Sequence, residues 1–353
     1  MAGITYKCPN CGAYLTFDPE TQQWKCPFCS SAFSEAELKG KAEAFQKEAD
    51  KEAEKQAEQA SGAQVVYHCP SCGSEIMTDE TTVATHCYYC HSPVVLQGKL
   101  TADMKPDEVL PFTIGREKAI EEISEWIRTR KFVPKNFFSK AQIQEMSGVY
   151  YPHFVSECQA EGVLDGEATT SDVFDEGKYV VTNTRHYHVR REGRFVFKNI
   201  LRPALSKANR KLTEGVHPFP LENAKPFSGA FLSGFLAERR DLEADSYRQE
   251  IEQELQGYMN SMLRDTASQY QTCSAGTTAA VKKVKTKYVL LPTWVLTYPN
   301  KKNKDEPYYY VMNGCTGQVC GKLPVDMGRL WRHGLLAGLI VAALCCVLAY
   351  FLF

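Results

Sequence analysis

The sequence lacks the short motifs that mark common enzyme active sites. None of its four Gly-Lys pairs is followed by Ser or Thr, which excludes a P-loop for nucleotide phosphates. It has no His-Glu-x-x-His motif and no glycine-rich dinucleotide turn. His186 and His188 fall on one side of a predicted strand, and His217 and Cys158 are conceivable neighbours, but a histidine on a strand is usually a polar surface residue. We therefore expect a protein that is not an enzyme.

Positively charged residues are absent from two segments. Residues 62–98 contain no Lys or Arg, and residues 334–353 contain no charged side chain at all. Because the formal net charge is −1, attraction to nucleic acid would require a local basic patch. The first ten residues also lack the apolar run of a secretory signal peptide. We expect the body of the protein in a reducing compartment, where thiols remain available for metal.

Cysteine, in contrast, is abundant and regularly spaced. The chain has 14 cysteines, and four Cys-x-x-Cys pairs form two halves related by an offset of 61 residues, with 14 residues between the pairs of each half. The leading pair of each half has Pro after its first cysteine and Gly after its second, which favours a tight turn with N–H groups directed at the sulfurs. The eight cysteines are Cys8, Cys11, Cys26, Cys29, Cys69, Cys72, Cys87 and Cys90.

Four thiolates in each half match the requirement of a tetrahedral zinc ion, so this spacing predicts two structural Zn²⁺ sites. The pair at 26–29 also fits a redox motif, and the run at 87–91 fits haem attachment, but neither chemistry needs matched pairs or a repeat. His68, His86 and His91 flank the second site. We expect them to be neighbours rather than ligands, because four cysteines complete the shell.

The segment 334–353 predicts a membrane-spanning helix. Its 20 uncharged residues would extend about 30 Å as a helix, which matches the hydrocarbon core of a bilayer. Arg329, Arg332 and His333 precede it, so the positive-inside bias predicts a single-pass protein with its N-terminal body in the cytoplasm.

Between these features the chain divides into five predicted segments. They are zinc ribbon 1 at 1–34, a charged helical linker at 35–61, zinc ribbon 2 at 62–98, a larger body at 101–325, and the transmembrane helix at 334–353. In the body, amphipathic periodicity predicts a helix over 117–132 and a second over 242–270. The buried face of the second helix is predicted to carry Ile251, Leu255, Tyr258, Met259 and Met262.

The remaining signals in the body favour β-structure. Short strands are predicted at 148–155, 179–181, 186–189 and 195–197, and stronger ones at 288–295 and 308–311. The Asn313-Gly314 pair is typical of a turn that follows a strand. The predicted fold class is therefore α+β, with a mainly antiparallel sheet in the body.

Four short motifs in the body resemble a known family. They are Gly148-Val-Tyr-Tyr-Pro, Leu290-Leu-Pro-Thr-Trp-Val-Leu, Asn313-Gly with Thr316-Gly, and Gly321-Lys-Leu-Pro. This pattern resembles bacterial proteins with one or two N-terminal zinc ribbons of the TFIIB type, an α+β body and often hydrophobic C-terminal segments. The resemblance implies architecture and no biochemical activity. Cys315 and Cys320 depart from the pattern and fit a chance pair, a weak metal site or a redox pair.

One basic stretch is a candidate for binding an anionic surface. Residues 185–211 carry nine Lys or Arg against one Glu. A lipid surface and nucleic acid are the two possible polyanions, and an ordinary solvated face balanced by the acidic helix at 241–254 is the alternative. The candidate residues are Arg185, Arg190, Arg191, Arg194, Lys198 and Arg202.

These features predict a non-catalytic scaffold or adaptor that is anchored in a membrane and docks another protein through its ribbons. Trp24, Phe28, Tyr88 and Tyr89, if exposed near the metal, would suit such docking, although covering the metal is an equally good role for them. The alternative function is nucleic-acid binding in replication or transcription through the basic stretch at 185–211.

Overall fold

A computed structural model describes residues 6–38, 64–69, 75–79, 81–87, 93–96, 104–134, 146–208, 210–298, 308–321 and 323–352. Most of the predicted linker at 35–61 lies outside the described residues, as do Cys72 and Cys90. The predicted α+β class with a mainly antiparallel sheet is confirmed.

Sixteen strands and four α-helices occur in the described part of the chain. The helices are α1 (Arg116–Arg128), α2 (Arg210–Glu214), α3 (Arg248–Asp265) and α4 (Met327–Leu352). The strands up to the first helix are β1 (Thr16–Asp18), β2 (Gln23–Lys25), β3 (Ala32–Phe33), β4 (Gln64–His68), β5 (Glu75–Asp79), β6 (Thr82–His86), β7 (Pro93–Val95) and β8 (Glu108–Val109). The later strands are β9 (Ser147–Glu176), β10 (Tyr179–Pro203), β11 (Lys225–Pro226), β12 (Leu236–Glu238), β13 (Thr272–Cys273), β14 (Gly276–Tyr298), β15 (Tyr308–Asn313) and β16 (Val319–Gly321).

Three sheets are formed. Strands β1, β2 and β3 make a small antiparallel sheet in ribbon 1, and β4 pairs with β5 in a two-stranded sheet. All other strands belong to one large sheet, in which β9 is hydrogen-bonded to β14 along one edge and to β10 and β12 along the other. Strand β6 pairs with β12, so the second cysteine-bearing segment continues into the sheet of the body.

The two longest strands are where the sequence-based expectation differs most from the structure. Strand β9 has 30 residues and β10 has 25, in place of the four short strands predicted between 148 and 197. Polar side chains hold the register across this pair, for example Ser171 and Thr184 at 2.9 Å and Arg194 and Glu161 at 3.4 Å. Gly177, at φ +66°, provides the tight turn between them.

Helix α3 packs on the face formed by β9, β10 and β14. Its buried residues are Ile251, Leu255, Met259 and Leu263, one on each successive turn. The prediction that Tyr258 and Met262 share this face is wrong, because they are 55% and 51% exposed. The buried stripe has a strict four-residue spacing, which places both side chains on the solvent side of the helix.

The predicted helix at 117–132 is confirmed as α1, although it ends at Arg128. Ile123 on its apolar face is buried, and Ile120, Trp126 and Ile127 pack against the same core. That core is centred on aromatic rings, with Phe112 stacked on Phe235 at a centroid distance of 4.3 Å.

The motifs that resemble the ribbon-protein pattern serve the packing of this core. The buried Asn313 side chain donates to the carbonyl oxygens of Val216 (2.8 Å) and Pro218 (3.0 Å), which ties the turn to a distant loop. Gly314 lies so close to the Phe112 ring that a Cβ there would come within 2.5 Å of it. Trp294 donates its indole N–H to the carbonyl oxygen of Ile114 at 3.1 Å. The turn after β15 is therefore confirmed, and these motif residues stabilise the fold.

Candidate metal centre

Two turns of the same geometry present the first four cysteines. In the first, the N–H of Gly12 donates to the Cys8 carbonyl at 2.9 Å, and in the second the N–H of Ser30 donates to the Cys26 carbonyl at 3.0 Å. Gly12 has φ +75° and Ser30 has φ +57°, so the residue after each second cysteine is left-handed. The two Cys-x-x-Cys pairs of ribbon 1 thus form turns of equivalent geometry.

The four sulfur atoms of this cluster converge. The Sγ atoms of Cys8, Cys11, Cys26 and Cys29 all lie within 4.8 Å of one another. The Sγ–Sγ distance is 3.6 Å between Cys8 and Cys29 and 3.5 Å between Cys11 and Cys26. A tetrahedral site with metal–sulfur bonds of about 2.3 Å requires sulfurs about 3.8 Å apart. The arrangement therefore fits a four-coordinate metal ion with sulfur ligands.

The thiols of Cys11 and Cys29 have displaced pKa values. Hydrogen bonds with the side chain and backbone of Ser31 lower the pKa of Cys29 to about 6. A backbone hydrogen bond at Ala13 lowers the pKa of Cys11, but hydrogen bonds with Cys26 and Cys29 outweigh this effect and raise the pKa to about 12. Four thiolates at this separation repel one another, so full ionisation requires a cation at the centre.

The opposite side of ribbon 1 is packed into the body. Trp24 is 1% exposed and donates its indole N–H to the carbonyl oxygen of Ala230 at 2.8 Å. The backbone N–H of Phe17 donates to the carbonyl of Ser233 at 2.9 Å, and Ser233 donates in return to the carbonyl of Leu15 at 2.5 Å. The four converging cysteines thereby have a rigid support outside their own small sheet.

Of the two roles left open for the aromatic residues near the cysteines, exposure for docking fits Phe28 and burial fits Trp24. Phe28 is 69% exposed, with its ring edge-on to Tyr14 at 5.5 Å. Trp24 is buried because the ribbon packs against Phe231, at a centroid distance of 5.1 Å, and no sequence signal distinguishes such packing from exposure. Tyr88 and Tyr89 lie outside the described residues.

The second cysteine set is described only in part. Cys69 and Cys87 are buried, and they directly follow β4 and β6. Strand pairing repeats between the halves at the offset of 61: Lys7 pairs with Tyr14 as His68 does with Glu75. A second pairing repeats at the same offset. Trp24 pairs with Phe33 in the first half, and Thr85 pairs with Val94 in the second. The two halves thus have these pairings in common, while the second metal site remains a prediction.

Cys315 and Cys320 both pack against one apolar cluster of the body. The Sγ of Cys315 donates to the carbonyl of Pro111 at 3.3 Å, and Cys320 packs against Gly215 so closely that a Cβ there would clash with its sulfur. Burial raises the pKa of Cys315 to about 12 and raises that of Cys320 as well. Both are therefore neutral thiols at neutral pH, and within the described part of the chain neither joins a metal-binding cluster.

The residues considered for catalysis are not brought together. Cys158 is buried beneath α3, whereas His188 is exposed and its ring contacts Asp165 at 3.1 Å. His186 lies two residues before His188 on β10 and shares its exposed face. His217 lies in the loop after α2, next to the cis Pro218. These side chains therefore do not form a common site.

A buried histidine that the sequence did not single out, His153, lies at the centre of the large sheet between Pro203 and Val289. Its Nδ1 atom is 3.2 Å from the carbonyl of Tyr151, and its Nε2 atom has no hydrogen-bond partner among the described residues. Burial lowers its pKa from 6.5 to about 4, and nearby His217 lowers it further. The ring is therefore neutral in the folded protein.

We expect His153 to make the fold sensitive to acid. Because its folded pKa is lower than its unfolded pKa, stability is complete above about pH 6.5 and declines as the pH falls towards 4. At pH 4 this difference in pKa lowers the free energy of unfolding by about 3 kcal/mol, since each pKa unit is worth about 1.4 kcal/mol. Replacing His153 with Leu should remove this loss of stability. Urea unfolding of the full chain in detergent at several pH values measures it. His188→Leu, at an exposed site, should change nothing, and equal acid sensitivity in His153→Leu and the parent would contradict the assignment.

The candidate basic residues on β10 are mostly paired with acidic neighbours. Arg190 contacts Asp165 at 2.8 Å, and Arg185 contacts Asp172 at 3.2 Å, both across the β9–β10 ladder. Arg202 is nearly buried and pairs with Glu250 and Glu254 of α3. Arg194 contacts Glu161 at 3.4 Å, and Arg191 donates a hydrogen bond to the carbonyl of Arg190. Carboxylates on β9 and α3 thus offset much of the positive charge.

Helix α4 contains the predicted apolar segment. Its portion Met327–Cys346 is long and apolar enough to cross a membrane, and none of it is buried against the rest of the chain. The helix begins seven residues before the uncharged run and is continuous with it. An apolar helix that is exposed on every side matches a membrane span better than a core helix of a soluble protein.

A cavity of about 440 Å³ lies where ribbon 1 meets the body. Aromatic rings line it, including Phe17, Phe235 and Trp294, with His86 and Arg116 as polar groups. Sequence reasoning gave no sign of this cavity, because its walls come from six separate parts of the chain.

Comparison with known proteins gives one informative relative. The chain is 28% identical over 342 residues to the uncharacterized protein YdjG of Bacillus subtilis (strain 168), and the match covers 96% of each chain. No protein-family model matches the sequence. No solved structure matches it either. The match runs over nearly the whole of both chains, and the name of the relative carries no activity.

Proposed function

We propose that this protein is a non-catalytic, membrane-anchored scaffold that holds two structural zinc ribbons of the TFIIB type at a membrane surface. The observation that carries the proposal is the convergence of four cysteine sulfurs in ribbon 1. A metal with four protein ligands has no open position for water or substrate, which is the arrangement of structural zinc sites. Zinc is the metal proposed because it favours tetrahedral thiolate sites and needs no redox partner.

The membrane location rests on α4, whose apolar portion is exposed throughout. Basic residues precede its uncharged run, so the positive-inside bias orients the body towards the cytoplasm. A reducing cytoplasm also keeps the ribbon cysteines in the thiol form that metal binding requires. The orientation and the metal chemistry therefore support each other.

The scaffold role rests on the outer surface of ribbon 1. Phe28 lies between the ligands Cys26 and Cys29 and is 69% exposed, whereas the aromatic residues on the other side of the ribbon are buried in the body. An exposed aromatic ring on a rigid support is typical of the central contact in a protein interface. The nucleic-acid alternative has less support, because acidic residues accompany the arginines of β10.

Chemical crosslinking in membranes tests the proposal with three full-length proteins. The parent is expected in the membrane fraction, crosslinked to a partner protein. Phe28→Ala should remain in the membrane and lose the crosslink. Leu339→Lys with Leu344→Lys should leave the membrane fraction after an alkaline wash, because a charged residue at the centre of a span costs about 3 kcal/mol.

Two matched controls accompany this experiment. Leu339→Ala with Leu344→Ala keeps the span uncharged and should remain in the membrane. Phe33→Leu changes another aromatic residue of ribbon 1, one that packs against the core, and should keep the crosslink. A parent protein that is recovered in the soluble fraction, or a crosslink that survives Phe28→Ala unchanged, would contradict the proposal.

A further inference from the structure

The first turn of α4 is attached to the loop that follows α1. The backbone N–H of Asp326 donates to the carbonyl of Phe132 at 2.7 Å, and the guanidinium group of Arg329 donates to the carbonyl of Val133 at 3.1 Å. The His333 ring lies edge-on to Phe132 at a centroid distance of 5.6 Å. These contacts join two segments that are nearly 200 residues apart in the sequence.

This attachment gathers basic side chains from both segments. Arg128, Arg130 and Lys131, at or just after the end of α1, shortly precede the loop residues Phe132 and Val133 that contact the start of α4. Together with Arg329 and Arg332 of α4, we call these basic residues the juxtamembrane collar. All but Arg329 are exposed.

Only one carboxylate pairs with the collar in the described part of the chain. Asp326 lies 3.6 Å from Arg329, and no other collar residue has an ion pair there. Arg130 lies over the Trp126 ring at 4.9 Å, and Arg332 donates to the carbonyl of Gly328 at 3.4 Å. Glu125, one turn earlier on α1, is the nearest other acid on that helix. The collar thus differs from the basic stretch of β10, whose arginines have acidic partners.

The collar lies at the level where a lipid surface would be. At 1.5 Å per residue, the start of α4 is only about 10 Å from Gly334, where the uncharged run begins. Trp331, 67% exposed, lies at the same level, and tryptophan is enriched at membrane–water interfaces. The short, continuous helix leaves little distance between the α1 end of the body and the bilayer.

We propose that the juxtamembrane collar binds the phosphate groups of anionic phospholipids in the leaflet adjoining the body, and so holds the body in a fixed orientation on the membrane. This inference rests on the proposed membrane span of α4. The unpaired positive charges attract the anionic lipid surface. The attachment at Phe132 and Val133 makes the α1 and α4 charges a single rigid surface.

Quenching of tryptophan fluorescence by brominated lipids tests the proposal with the full-length protein. The protein is placed in vesicles of phosphatidylcholine and phosphatidylglycerol in equal amounts, with either lipid brominated in its acyl chains. Of the four tryptophans, Trp24 and Trp294 are buried in the body, so the signal reports on Trp331 and on Trp126, which lies beside Arg130 of the collar. We expect the anionic lipid to be preferred at least about fivefold, the factor that a single basic residue near the surface can provide.

The collar variant is Arg128→Gln, Arg130→Gln, Lys131→Gln, for which the preference should fall several-fold, towards the value that the remaining Arg332 provides. Lys282→Gln, Lys283→Gln, Lys285→Gln removes the same charge from exposed residues of β14 and should retain the preference. Arg128→Lys with Arg130→Lys should also retain it, because the charge is unchanged. Raising the salt to about 0.5 M should weaken the preference of the parent, since the exposed charges are screened.

The outcomes separate the two proposals. A parent protein that remains in the vesicles after an alkaline wash but shows no lipid preference, or the same preference in the collar variant and the parent, would overturn the collar alone. A parent protein that is washed off the vesicles would overturn the membrane span, and the collar with it.

Discussion

Replacing Cys26 and Cys29 with serine is expected to reduce the zinc content from two ions per chain to one and to unfold ribbon 1. The Sγ atoms of these residues supply two of the four converging sulfurs, and serine oxygens do not replace thiolates as zinc ligands. Apparent binding free energies of structural zinc are about 10–16 kcal/mol per site, most of which stabilises the folded ribbon. Elemental analysis of the purified full chain, with protein concentration from amino-acid analysis, measures the ratio.

A matched control for this variant is Cys315→Ser with Cys320→Ser. It removes two thiols that lie in apolar surroundings outside the cluster, so the zinc content should stay at two. Any effect that is common to the loss of cysteine would appear in both variants. Two zinc ions per chain in Cys26→Ser, Cys29→Ser would show that these cysteines are not ligands.

Trp24→Ala is expected to destabilise the whole body, and not only the ribbon, by about 3–5 kcal/mol. Its indole ring contacts Phe17 and Phe231, each at a centroid distance of 5.1 Å, and lies in the same core as Phe112 and Phe235. The substitution leaves a large cavity between ribbon and body and removes the hydrogen bond to Ala230. Urea unfolding of the full chain in detergent, followed by circular dichroism of the β-sheet, measures the change.

Phe28→Ala is the control for this prediction. It truncates an aromatic side chain of the same ribbon at an exposed position, so its effect on the free energy of unfolding should stay within about 0.5 kcal/mol. Equal destabilisation by the two substitutions, or none by Trp24→Ala, would show that ribbon 1 does not share the core of the body.

The two predictions together describe a metal centre that is coupled to the fold. Without its metal, ribbon 1 would expose not only its own apolar residues but also the aromatic surface of the body that it covers, including Phe231 and Phe235. We therefore expect loss of metal from ribbon 1 to lower the stability of the body as well. The tight contact between the two also positions Phe28 relative to the membrane anchor.

The cysteine cluster could be predicted from the sequence because its geometry is local. A Cys-x-x-Cys turn has few possible conformations, and the equal spacing of two such turns places four sulfurs within reach of one ion. Helix α1 was predictable for the same reason, since the period of Ile120, Ile123 and Ile127 defines one face. The uncharged run of α4 needs only its length and composition.

The features that were missed depend on contacts between distant residues. The long strands β9 and β10 are polar along much of their length and are stabilised by cross-strand pairs such as Arg190 with Asp165, which apolar alternation does not reveal. The burial of Trp24 depends on the loop around Ala230, more than 200 residues away. The attachment of α4 to the loop after α1 depends on the backbone carbonyls of Phe132 and Val133, whose partners no sequence pattern records.

X-ray absorption at the zinc edge, on full-length protein extracted from membranes with detergent, tests the central claim most directly. The account predicts zinc surrounded by four sulfur atoms at about 2.3 Å, with two ions per chain. A first shell containing nitrogen or oxygen, or a folded membrane-extracted protein that contains no metal, would contradict it.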